Sequence, residues 1–203
     1  MNNSVNNFEL TENDKELFDY VLKPFPNGLT KKGISGVNRE RAKAQEKTYC
    51  NYLLTKNFEG KSGQIGELIV HRALELKGLN PEGHKTFIDP ENNVKYIVDN
   101  AVKDYIIEVK TRSWTNSGTA GEKVPGGCAY KYSEVPELAK KSLKIICVGY
   151  QEWELCNDPK LKVFFDDYEN IPQGKKIILE CFKELNIEYI KFSDFISDIY
   201  SLQ

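Results

Sequence analysis

The chain has 203 residues, 40% of them hydrophobic and 29% charged, with a formal net charge of -2; this allows one compact α/β unit with a sizeable core and excludes a fibrous, repetitive or low-complexity chain. No apolar run approaches the roughly 20 residues that span a bilayer, and the opening residues are polar rather than signal-like. The five cysteines (Cys50, Cys128, Cys147, Cys156, Cys181) include no Cys-x-x-Cys pair, which points away from a disulfide framework or zinc cluster and toward reduced thiols in the cytoplasm.

Thr11 to Leu22 is expected to be a helix, with Thr11 as its cap, acidic residues in the first turn and Leu17, Phe18, Val21 and Leu22 as its apolar stripe. Pro24 and Pro26 then end it. Asn38 to Leu54 is a second expected helix, basic in its first half (Arg39, Arg41, Lys43, Lys47). The strongest helical pattern covers Ser62 to Leu76, with Ile65, Leu68, Ile69, Ala73 and Leu76 on one face and Gly78 just past the end. Residues 1–61 therefore read as a helical extension packed on a core formed by 62–203.

Two β-like runs follow, Val94 to Val98 and Tyr105 to Val109, and the intervening residues suit an antiparallel hairpin with a loose turn. A Gly-, Ser- and Thr-rich loop from Ser113 to Gly127 leads to a predicted helix near Ser133 to Lys141 and a buried strand, Leu143 to Tyr150. Helix Lys175 to Leu185, strand Ile187 to Phe192 and a short helix from Ser193 complete the reading.

The strand-like run carries Glu108-Val109-Lys110. The period of two puts Glu108 and Lys110 on one face and Val109 on the other, toward the core. Asp99 stands at the end of the preceding run, and hairpin pairing permits, without forcing, its approach to Glu108. Asp99, Glu108 and the backbone carbonyl of Val109 are hard oxygen donors suited to Mg²⁺, which commonly takes one or two carboxylates and completes its octahedron with water and phosphate. Beside such an ion, Lys110 could position or deprotonate the water that attacks a phosphodiester.

Asp99 followed by Glu108-x-Lys110 on the next strand resembles the PD-(D/E)xK nuclease superfamily, over roughly Ser62 to Tyr150. The resemblance implies a restriction-endonuclease-like αββαβ core, a mixed sheet flanked by helices, with Asp99 and Glu108 as metal ligands, Lys110 as the catalytic lysine and Glu67, on the helix before the hairpin, as an additional acid. Val98 stands where the family name places proline, and Asn100 where glycine is frequent. The segment Ser117-Gly118-Thr119-Ala120-Gly121-Glu122-Lys123 resembles loops that follow the catalytic strand in type II restriction enzymes.

A DNA partner appears at odds with a net charge of -2, but the charge is uneven. Residues 31–61 hold 8 Lys plus Arg against 3 Asp plus Glu, and residues 103–150 hold 8 against 5, whereas both ends are acidic. Screening over about 8 to 10 Å makes local charge the one a phosphate feels, so a basic cleft is compatible with this balance. Candidate DNA contacts are Arg39, Lys43, Arg112, Trp114, Thr119 and Lys123. His71 and His84 share no metal-ligand spacing and read as structural or surface residues, while Tyr130, Tyr132 and Tyr150 read as core or interface aromatics.

The expected activity is sequence-specific, Mg²⁺-dependent cleavage of double-stranded DNA by a type II restriction enzyme, in a homodimer that matches a two-fold site, with no membrane and no nucleotide cofactor. The competing readings are a structure-specific or repair nuclease of the same fold and a catalytically silent DNA-binding module.

Overall fold

The computed structural model describes residues 9–22, 44, 47, 51, 55, 62–112, 140–157, 164–165 and 171–201. Their elements, in chain order, are α1 (Glu12–Leu22), α2 (Ser62–Leu76), β1 (Glu82–Gly83), β2 (Thr86–Ile88), β3 (Lys95–Ile97), β4 (Asn100–Ala101), β5 (Tyr105–Arg112), β6 (Ser142–Gly149), α3 (Tyr150–Asn157), α4 (Gln173–Glu184), β7 (Ile187–Lys191), α5 (Phe192–Phe195) and α6 (Ser197–Ser201). A five-stranded mixed sheet in the order β1-β4-β5-β6-β7 is flanked by helices, and β2 and β3 form a separate two-stranded sheet. No helix among the described residues is long and apolar enough to cross a membrane.

The sheet is antiparallel on one side and parallel on the other: β1 pairs antiparallel with β4 and β4 with β5, while β5 pairs parallel with β6 and β6 with β7. Apolar layers cover both faces, so the central strands bury side chains on each side. Along β6, Leu143, Ile145 and Cys147 enter one core with Ile106, Leu155, Leu179 and Phe182. The alternate residues Ile146 and Val148 enter the other with Ile107, Val109, Leu17, Phe18, Ile69 and Phe192. This double burial is why β6 reads as a continuous apolar run rather than an alternating one.

Helix α1 opens with a reciprocal cap. The Asp14 N–H donates to Thr11 Oγ1 at 3.2 Å and the Thr11 N–H donates to Asp14 Oδ2 at 2.9 Å, which satisfies two otherwise orphaned donors. The same Asp14 carboxylate accepts from Arg72 Nε at 2.7 Å and Nη2 at 3.1 Å, which ties α1 to α2. Burial pushes the Asp14 carboxyl up, but the Arg72 and Thr11 hydrogen bonds outweigh it and hold the group below its usual value. The T-shaped contact of Phe18 with Phe192, centroids 5.7 Å apart, joins α1 to α5.

Helix α2 has the expected bounds, and Gly78 ends it in the left-handed region with φ 72°. Its buried stripe differs from the expected one: Ile65, Ile69, Val70, Ala73 and Leu74 are inside, while Leu68 and Leu76 are only half-buried. The shift follows from close packing at Gly66, where a Cβ would meet Thr111 Oγ1 of β5 at 1.7 Å. A glycine there lets the helix lie against the strand.

The expected hairpin of Val94 to Val98 with Tyr105 to Val109 is not formed. β3 pairs instead with β2, Phe87 opposite Tyr96, and the partner of β5 is the two-residue strand β4, Asn100 opposite Ile107 and Ala101 opposite Ile106. The overlooked signal is the turn between β2 and β3, where Asp89 Oδ1 accepts from the Glu91 N–H at 2.8 Å and Asn93 has φ 60°, chemistry typical of a tight reversal. Likewise Tyr150 begins helix α3 rather than ending the strand, because Gly149 at φ 65° breaks the extended backbone. The expected helices Asn38 to Leu54 and Ser133 to Lys141 fall mainly outside the described residues; 44, 47, 51 and 55 are helical.

Gly66→Ala should therefore destabilise the protein by about 1–3 kcal/mol or more, read as a lower midpoint in urea unfolding. Adding Thr111→Ala should recover only part of the loss, because the Thr111 Cβ itself would lie 2.6 Å from the new methyl.

Candidate active site

The register of β4 with β5 sets the centre of the site. Asn100 faces Ile107 and Ala101 faces Ile106, so one further step along the same register puts Asp99 opposite Glu108. Residues directly opposite on antiparallel strands share a face with Cβ atoms about 4.5–5.5 Å apart. The Val109 N–H donates to Asp99 Oδ2 at 2.6 Å, which fixes the carboxylate against β5. In an extended strand a residue's N–H and C=O point to the same side, so the Val109 carbonyl also lies on the Asp99 side.

Lys110 Nζ donates to Glu108 Oε1 at 2.7 Å, as the strand's period of two requires of side chains two residues apart on one face. The side chains are only 12% exposed for Glu108 and 23% for Lys110, so the pair is held in a largely desolvated place. The Val109 side chain turns to the opposite face and is buried beneath α1 and α2. Glu67, the residue after the close approach at Gly66, lies at the rim of the cluster and accepts from His84 Nε2 at 3.1 Å.

Burial is the first cause of a marked displacement at Asp99, whose carboxyl is pushed from its usual 3.8 to about 6. The Glu108 charge adds to it, the Val109 N–H opposes it, Glu67 raises it further and Lys110 offsets it. Asp99 and Glu108 thus lie close together with Lys110 paired to Glu108, and the local excess of negative charge is what a divalent cation would relieve. Among the described residues no group of three or more His, Cys, Asp and Glu gathers as a metal cage. The donors that face one another are two carboxylates, a set that fits Mg²⁺ sharing its remaining positions with water and substrate.

Of the expected DNA contacts, Arg112 ends β5 opposite Gly149; Arg39, Lys43, Trp114, Thr119 and Lys123 lie outside the described residues. Two histidines read as structural or surface residues border the cluster. His71 Nδ1 lies 2.6 Å from Asn100 Oδ1, and His84 contacts Glu67. Neither contact has a signal in local spacing, since partners 29 and 17 residues apart meet only through the packing of α2 on the ribbon.

The raised Asp99 carboxyl has a consequence for the metal-free protein. Its folded value of about 6 lies above the usual 3.8, so the fold favours the protonated form; stability is complete below about pH 4 and declines as pH rises through 6. Asp99→Asn keeps an oxygen for the Val109 N–H and removes the charge. It should raise unfolding stability in EDTA at pH 8 by up to roughly 3 kcal/mol, with little gain at pH 4. Equal stability of the two proteins at pH 8 would contradict the assignment. Comparison with protein-family models, curated proteins and solved structures yields no match for this chain.

Proposed function

We propose that the protein is a Mg²⁺-dependent DNA endonuclease with a restriction-endonuclease-like core, cutting double-stranded DNA at specific sequences. The observation that carries this reading is the placement of Asp99 opposite Glu108, with Lys110 beside Glu108 on the same strand face. The order of elements supports it as well: a helix, an antiparallel pair, then a strand parallel to the second of that pair agrees with the core that the Asp and Glu-x-Lys pattern resembles.

Asp99, Glu108 and the Val109 carbonyl would hold the ion. When bound, Mg²⁺ lowers the pKa of water and shields the charge that builds on a phosphodiester under attack. The residues themselves explain why a cation is needed, because an anionic DNA backbone would otherwise meet an excess of carboxylates. Among the described residues, Lys110 supplies positive charge to the cluster at Nζ, close enough to Glu108 to stay oriented by it. From there it can stabilise negative charge at the phosphate or hold a proton of the attacking water. A silent DNA-binding module has no physical reason to keep such desolvated charges together. A type II restriction enzyme is the subclass favoured by the segment Ser117 to Lys123, a cytoplasmic homodimer would match a two-fold site, and the basic stretches of the sequence suit a DNA partner.

Purified protein incubated with unmethylated plasmid or phage DNA and Mg²⁺ should give discrete fragments, none in EDTA. Glu108→Ala and Lys110→Ala should each lower cleavage by roughly 10²–10⁴-fold. Cleavage confined to branched or mismatched DNA would favour a repair nuclease, and cutting by Glu108→Ala at the parental rate would sink the catalytic assignment.

A further inference from the structure

We propose that His84 is a positioning residue: its imidazole holds Glu67 at the rim of the Asp99–Glu108 pair, and the backbone at 84 is bent to bring it there. The nuclease reading is needed only for what the positioned carboxylate is used for.

The ribbon made by β1–β2 and β3–β4 keeps one register through its interruption. Gly83 faces Asn100 and Thr86 faces Ile97, so His84 faces Asp99; the His84 N–H donates to the Asp99 carbonyl at 3.1 Å. At the neighbouring position the ribbon turns its side chains toward α2, since Asn100 Oδ1 meets His71 Nδ1 at 2.6 Å and a Cβ on Gly83 would lie 3.6 Å from the same ring. Regular strand alternation would turn residue 84 away from α2. His84 instead has φ 52°, in the left-handed region. The alternation is broken there, and Nε2 reaches Glu67 Oε2, which lies one helical turn before His71 on α2.

Two features argue that this bend serves the contact rather than the fold. The left-handed conformation suits glycine or asparagine better than histidine, yet a ring is present. That ring is 66% exposed, so core packing does not require it, and an exposed pair of this kind adds little to stability. What the contact does supply is a fixed direction for Glu67, whose charge is felt at Asp99. Outer partners of this type orient the groups nearest a metal and tune its affinity.

The test uses the full chain and separates backbone from ring. His84→Asn tolerates the left-handed backbone but is too short to reach Glu67, and His84→Gln restores the reach. Without metal or DNA, at fixed pH, the Glu67 carboxyl ¹³C resonance should move in His84→Asn and return toward its parental position in His84→Gln. In Mn²⁺ titrations followed by calorimetry, His84→Asn should weaken binding on the order of 10-fold, His84→Gln should recover most of it, and Glu67→Gln should add no further loss to His84→Asn. An unmoved Glu67 resonance, or losses from the two sites that multiply, would overturn the proposal. A parental protein that binds no Mn²⁺ and cuts no DNA would sink the nuclease reading, while the metal-free resonance alone would still decide whether His84 holds Glu67.

Discussion

Two carboxylates brought together where the β4–β5 ladder ends, Asp99 just before β4 and Glu108 on β5, form the constraint on which the site depends. Asp99 and Glu108 repel, and burial prevents water from screening them; the displacement of the Asp99 carboxyl to about 6 expresses that cost. The Val109 N–H and Lys110 Nζ offset part of it by hydrogen bonding one carboxylate each. The remainder is a local excess of negative charge, which a bound cation would offset. Stability is sacrificed where charge is concentrated, a pattern familiar from functional sites.

Holding that geometry requires a stiff scaffold around β5. The strand is paired along its length with β6, and Ile107 and Val109 are locked in the core beneath α1 and α2. Gly66 brings α2 against Thr111 without an intervening side chain, which sets the height of Glu67 above the sheet. The Asp14–Arg72 pair then fixes α1 on α2, with Asp14 only 4% exposed. Breaking one partner of such a pair leaves a buried charge uncompensated. Glu67 beside the candidate site and Arg72 in the α1–α2 tie are therefore separate groups on different stretches of α2.

The short strand β4 is the junction between the two sheets. Before it, the chain runs in the ribbon with β2; after Asp99 it pairs with β5 in the main sheet. Asp99 sits at that transfer, with its carbonyl accepting from His84 on one side and its side chain accepting from Val109 on the other. A residue bridging both neighbours cannot shift without disturbing both, which keeps the carboxylate in place more firmly than a two-residue strand alone would.

Local sequence determined much of this. The 3.6-residue period and Gly78 marked α2, the unbroken apolar run marked β6, and the period of two already placed Glu108 and Lys110 side by side, because each depends on residues a few positions apart. The Asp and Glu-x-Lys pattern was legible for the same reason. Tertiary structure alone decided that the antiparallel partner of β5 is β4, directly after Asp99, rather than the run that Asp99 ends. The apolar run Val94 to Val98 suits a strand in either pairing, and only the closing of the Asp89–Asn93 turn assigns it to β2. It also decided the roles of Gly66 and His84, since a glycine inside a helix and a histidine in a turn acquire meaning from Thr111 and Glu67, partners that only the packing of α2 on the strands brings within reach.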